Sequence, residues 1–454
     1  MTGSSGEIPE HKRVLIHQVI KALPVRALLM LDRTLGLSQD GSLRAVHEIV
    51  SQQLENHDTK AMIFRPYMPM FEAREDGLSG VQFPVWVLDN LWAALQVHEA
   101  ALLERLQKSV QGGKNSDMMP PLFAETIEAA VKILRQKPEA VLPEGYDADD
   151  QARIADFALY LDIYPTAREA MRRMPEWLGR ISAEKAVSIR ILFKDSGRVV
   201  DDGGLRWLEV VYANLEDGAD IMAFVGVVTD RASDRFLSQS ELAVFGERVV
   251  EAAERAQRRL MPMIRATDRL AESAEMVLQA LHLTQAVDAS VELTRGGAWA
   301  VRIARIRQAV SAQVETHVER LQNLVERVLP ARDERHNGRV VGMSPLIEAP
   351  SDSALKDALG LIGFCNLVRA GATQGGYAVH LAQAVETAEL YLEAYLEGSL
   401  GLYAQADASG KAVIRLQFDA IVRLTEALCG QEKGRLARRR VASSSSLDLS
   451  KTVA

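Results

Sequence analysis

Apolar residues recur at three- and four-residue spacing along most of the chain, which predicts amphipathic helices. Near the start, Leu15, Val19 and Leu23 stand four apart, with Ile16 and Ile20 beside them. Pro24 punctuates that segment, and Gly36 closes the next, "VRALLMLDRTL", as a C-terminal glycine does. Leu43, Val46, Ile49, Val50 and Leu54 share one face of "SLRAVHEIVSQQLENH". From Pro84, a favoured first-turn residue, Leu88, Leu91, Leu95, Leu102 and Leu106 keep one register in a single predicted helix. The intervening "AMIFRPYMPMFEAREDGLSGVQFP" is irregular but unusually apolar, so it is expected to pack as an ordered connector. The longest seam runs through Ile303, Ile306, Val310, Val314, Leu321, Leu324 and Val328, close to a heptad line with His317 in it. A core helix, or a contact between two copies through residues 299–329, is the expectation there.

Punctuation between these segments suggests an N-terminal helical region over 1–110, a central one over 119–330 and a C-terminal one over 351–430. "PARDERHNGRVVGMSPLIEAPSDS" has the composition of a flexible linker. Residues 431–454 are basic and then serine-rich, with few large apolar side chains, and are expected to be disordered. The fold class is therefore all-α, with helices stacked as a multi-helix bundle or an irregular α-solenoid.

One stretch, Leu205 to Asp230, admits two foldings. "VSIRILFKDSG" alternates at Val187, Ile189 and Ile191, and "LRWLEVVYANLEDG…AFVGVVTD" has the look of closing strands in a PAS-like sensory core. Such a core would occupy about 150–232 and signal through the helix after Ser238. Leu205, Leu208, Val211 and Leu215, however, keep helical spacing, and only helical pattern precedes them from Pro120. Half a sheet would leave unpaired edges. Helices are the expected outcome.

Composition sharpens the functional side. The net charge of −8 gives the whole chain no electrostatic attraction for nucleic acid, so any basic surface must be local. Arg435, Arg438, Arg439 and Arg440 form such a cluster and are the candidate contact for nucleic acid or anionic lipid. Ser443 to Ser446 follow them, where phosphate would cancel that charge. Cys365 and Cys429 sit in apolar runs with no metal-ligand spacing, which fits a reducing compartment. The start of the chain lacks the pattern of a secretory signal and no segment is apolar enough to span a bilayer, so a cytoplasmic protein is expected.

Catalytic and metal motifs fail when tested residue by residue. "FKDSGRVVDDGG" places Gly197, Val199 and Arg206 where a calcium loop needs oxygen ligands. "QGGKNS" has Lys108 at the earlier glycine position and Asn115 after Lys114, unlike a phosphate loop. His47-Glu48 and His98-Glu99 lack their second histidines, with Ser51 and Leu102 in those places. Ser182 and Lys185 match Ser-x-x-Lys without its companion motifs, and Ser344 in "GMSPL" lacks the closing glycine of a nucleophile elbow. His317 is expected to be a hydrogen-bonded core residue, and the five tryptophans to be packing residues. Tyr377, Tyr391, Tyr395 and Tyr403 are a weaker candidate for a groove.

"AMIFRPYMP", "FPVWVLDNLW", "ARIADFALYLDIYPTAREAMRRMPEWL" and "AWAVRIARIRQAVSAQVE" together resemble a group of all-helical bacterial proteins of unknown function, over most of the chain to about Cys429. The resemblance implies a helical fold and no activity. The expectation is a non-enzymatic interaction or regulatory protein, a scaffold or adaptor, with no cofactor and with protein partners.

Overall fold

The computed structural model describes residues 10–21, 23, 25–36, 41–111, 119–229, 232–263, 267–336 and 339–451. Among the described residues the fold is all-α apart from one hairpin, and the chain divides into two units, Met1–Asp230 and Arg231–Ala454. No helix among the described residues is long and apolar enough to cross a membrane.

In the first unit, α1 (Glu10–Lys21) and α2 (Val25–Leu35) pack on α3 (Gly41–Ile63) around Ile20, Leu28, Ile49 and Val50. The segment predicted as one helix after Pro84 is two, α4 (Val85–His98) and α5 (Ala100–Gln111). Glu99 breaks them by leaving helical geometry, at φ −130° and ψ 37°. The connector before α4 is ordered by its aromatics. Phe71 and Phe83 meet Phe157 at 5.4 and 5.1 Å between ring centroids. Phe157 lies on α7 (Ala148–Asp162), which follows α6 (Met119–Gln136). Asp147 and Asp150 close a capping box at the start of α7, so the acidic lead-in is a helix cap.

The disputed stretch is helical. After α8 (Tyr164–Trp177) come α9 (Ala183–Val199), α10 (Gly203–Ala213) and α11 (Ile221–Val228). The PAS-like sheet considered for 150–232 is thus replaced by α7 to α11. The physical reason lies at the α9–α10 corner. A Cβ on Gly203 would overlap the carbonyl oxygen of Ser196, and one on Gly204 would stand 2.8 Å from the Phe193 ring. "DDGG" is a tight corner between helices, which buries Trp207, Leu208 and Val211 completely. Arg74 then fixes this layer by donating to the carbonyls of Tyr212 (2.5 Å) and Leu215 (3.0 Å).

The second unit runs through α12 (Asp234–Leu237), α13 (Ala243–Leu260), α14 (Leu270–Ser290), α15 (Ala298–Val318) and α16 (Arg320–Val328). The carboxylate of Asp234, fully buried, accepts from Thr294 (2.8 Å) and from the Ala300 amide (3.1 Å), tying α12 to the start of α15. The 299–329 seam is buried from Ile303 to Val328 within this unit. It belongs to the unit's own core.

Residues read as a flexible linker instead form a hairpin, β1 (Ala331–His336) and β2 (Arg339–Pro345). α17 (Asp352–Val368), α18 (Ala372–Gly375), α19 (Ala378–Gln405) and α20 (Ala408–Cys429) follow. Tyr391 donates to the Leu329 carbonyl at 2.6 Å and Gln417 to the Leu346 carbonyl at 2.6 Å, so α19 and α20 seize both ends of the hairpin. The first part of the stretch expected to be disordered, from Gln431, is helical. α21 (Gln431–Lys451) is a helix that lies on α19 and α20. Its order comes from tertiary contacts that its composition conceals. Gly434 permits an approach at which a Cβ would stand 2.7 Å from that of Glu426, and Lys433, Arg438 and Arg440 pair with Glu389, Glu426 and Glu397.

Candidate functional site

The first unit contains a cleft of about 530 Å³ between the end of α3 and the starts of α6 and α8. Met62, Arg65 and Pro66 come from the end of α3 and just beyond it, Pro120 and Phe123 from α6, and Tyr164, Arg168, Glu169, Met171 and Arg172 from α8. On α8 the spacing Tyr164, Arg168, Arg172 is one helical face, four residues per step. Proline in the first turn of both α6 and α8 opens each helix at the cleft, Pro120 and Pro165 respectively. No side chain caps the start of α8. The starts of α6 and α8 thereby border one space.

The charges in the wall do not cancel. Among the described residues of the wall Glu169 is the only acidic one, and it is already engaged: Arg172 donates to it at 2.6 and 2.7 Å, and Arg173 from outside the wall at 2.5 Å. Those bonds hold its carboxyl down at about 2. Arg65 and Arg168 make no ion pair among the described residues. Arg168 lies over the Phe123 ring instead, 4.7 Å from its centroid. Tyr164 is only 3% exposed and its hydroxyl lies beside the Arg168 guanidinium. Burial pushes that hydroxyl up to about 12, against the opposing pull of the Arg168 charge. It is therefore a proton donor at neutral pH and an ineffective base. The rest of the wall, Met62, Phe123, Met171 and three prolines, is apolar.

A second cleft of about 400 Å³ in the same unit is lined in part by His57, Lys60, Phe71, Asp89 and Trp92. Two of its charges pair with each other, Lys60 donating to Asp89 at 2.7 Å, and Glu72 makes the balance acidic. His57 is pushed down from its ordinary value by burial and by Lys60. In the second unit a space of about 110 Å³ between α19, α20 and α21 is too small for more than a few atoms.

The residues singled out from the sequence lie elsewhere. Arg435, Arg438, Arg439 and Arg440 are exposed on α21, where Arg438 and Arg440 are paired with glutamates. Ser182 accepts from the Lys185 amide at 3.4 Å, so the Ser-x-x-Lys match is the N-cap of α9. His317 is buried against Phe364, at 4.8 Å between ring centroids, but neither ring nitrogen has the hydrogen bond expected of it. Trp177, Trp207 and Trp299 are fully buried. The tyrosines near the C-terminus are held by structural bonds: Tyr377 and Tyr391 donate to carbonyls at 2.8 and 2.6 Å, and Tyr403 accepts from Arg415. "QGGKNS" lies outside the described residues beyond Gln111. The cleft itself went unread, although Tyr164, Arg168 and Arg172 share a face in a segment recognised as helical. Comparison with family models, with curated proteins and with solved structures gives no match, so the function is argued from this geometry.

Proposed function

We propose that this is a non-enzymatic helical regulatory or adaptor protein that recognises a partner or effector by an anionic group seated in the cleft of its first unit. The observation that carries the reading is the unpaired positive charge of Arg65 and Arg168 beside the starts of α6 and α8. Guanidinium forks and helix N-termini are the groups that hold oxyanions. They stand here in a molecule of net charge −8, which disfavours long polyanions and favours a single anionic group that fits between the helices. The Tyr164 hydroxyl, kept protonated, adds a donor rather than a base. That chemistry serves binding. The free thiols, Cys365 buried and Cys429 half-buried, support the cytoplasm as the place where it acts.

Calorimetric titration of the full chain with inorganic phosphate and with benzoate tests the reading. At least one of these anions should give a saturable heat that disappears in the double variant Arg65→Gln/Arg168→Gln. No saturable heat with either anion, or the same heat in the variant, would refute it.

A further inference from the structure

We infer that the group held in this cleft is a phosphate monoester carried on an apolar organic body, an assignment that rests on the anion-binding reading above. Charge decides the head group. Among the described residues three arginines and one glutamate line the cleft, and Glu169 is matched by Arg172. Two guanidiniums, Arg65 and Arg168, are left over. A carboxylate or a sulfate ester brings one negative charge and would engage the charge of only one of them. A phosphate monoester carries close to two charges at neutral pH and three terminal oxygens that accept hydrogen bonds. The guanidiniums of Arg65 and Arg168 offer donors to those oxygens, and the Tyr164 hydroxyl stands beside Arg168.

Shape and polarity decide the rest of the molecule. At about 530 Å³ the cleft lies within the range of small-molecule sites and exceeds what a bare phosphate fills. Around the arginines the wall is Met62, Phe123, Met171 and the rings of Pro66, Pro120 and Pro165. None of these side chains donates or accepts a strong hydrogen bond, so a sugar-like body would lose its hydration without compensation. An aryl or alkyl body would bury apolar surface there. Such an ester arises from two sources, a free phosphorylated small molecule or a phosphorylated side chain on a partner protein.

The test is calorimetry on the full chain with phenyl phosphate, phenyl sulfate, benzoate and inorganic phosphate at neutral pH and matched ionic strength. Phenyl phosphate should bind at least tenfold tighter than each of the others. Arg168→Gln should weaken phenyl phosphate at least tenfold, and Arg65→Gln, on an exposed side chain, should weaken it with no change in thermal midpoint. A phosphotyrosyl peptide flanked by alanines separates the sources. Tighter binding than phenyl phosphate identifies a partner protein, and weaker binding identifies a free ester. Phenyl sulfate or benzoate matching phenyl phosphate would overturn the assignment and leave anion binding standing. Inorganic phosphate matching it would overturn the apolar body. Failure of every anion would remove both the assignment and the reading beneath it.

Discussion

Arg168 is held over the face of Phe123, 4.7 Å from the ring centroid, and that stacking rather than a carboxylate keeps its guanidinium in the cleft wall. A cation over an aromatic face is oriented without being neutralised. Its charge stays available to a ligand, and its side chain loses less freedom when one binds.

Replacing the ring tests that division of labour. Phe123→Leu keeps most of the apolar burial of α6 but removes the aromatic face. Phenyl phosphate affinity should fall about two- to fivefold, as expected for roughly 0.5–1 kcal/mol of lost cation–π attraction. Calorimetry checks the affinity, and urea unfolding checks that the unit still folds. Unchanged affinity in a folded variant would mean that the ring does not position Arg168.

His317 gives the second unit an acid sensitivity whose sign follows from its burial. Enclosed and without a partner on either ring nitrogen, it is pushed down to about 4, by burial first and by Arg320 second. The unfolded chain holds the proton up to an ordinary value near 6.5. Between those values the unfolded state binds more protons than the folded one, so stability falls as pH drops from about 6.5 towards 4. The full contribution is about 3 kcal/mol. Urea unfolding at pH 7 and pH 4.5 should show most of that loss in the native chain and a smaller one in His317→Leu. At pH 7 the leucine variant should be at least as stable, since it removes two unsatisfied polar atoms. Equal acid losses in both proteins would show that His317 finds a partner for its proton.

α21 supplies a contrast between composition and context. Deleting 431–454 should uncover the α19–α20 face around Leu392 and Leu396 and lower stability by about 2 kcal/mol, with most of the loss from apolar contact. The three surface ion pairs contribute less than about 1 kcal/mol each. Removing one by Glu397→Gln should therefore scarcely move the midpoint. Thermal unfolding of both variants checks this, and a deletion that leaves the midpoint unchanged would show that the helix merely rests on the surface.

What the sequence conveyed and what it hid can be traced residue by residue. Helical spacing in Leu205, Leu208, Val211 and Leu215 was legible and correctly set against the alternating pattern nearby. The hairpin was missed although Asn337-Gly338, a strong two-residue hairpin signal, stands beside Val340 and Val341. The order of α21 is hidden by its basic, serine-rich composition, because the close approach of Gly434 to Glu426 and the ion pairs to α19 and α20 exist only in the folded chain. The cleft was half legible. Tyr164, Arg168 and Arg172 announce a polar face on α8, but Arg65 and Phe123 join it from segments 103 and 45 residues from Arg168. Only the folded chain brings them together.

The central claim is that an anion sits between Arg65 and Arg168. The most direct measurement is anomalous diffraction from crystals of the full chain soaked in tungstate, a tetrahedral dianion that scatters strongly. The account predicts an anomalous peak in the cleft within hydrogen-bonding distance of both guanidiniums, absent in Arg65→Gln/Arg168→Gln. Peaks confined to exposed arginines such as Arg435 and Arg439, with none in the cleft of the native chain, would contradict it.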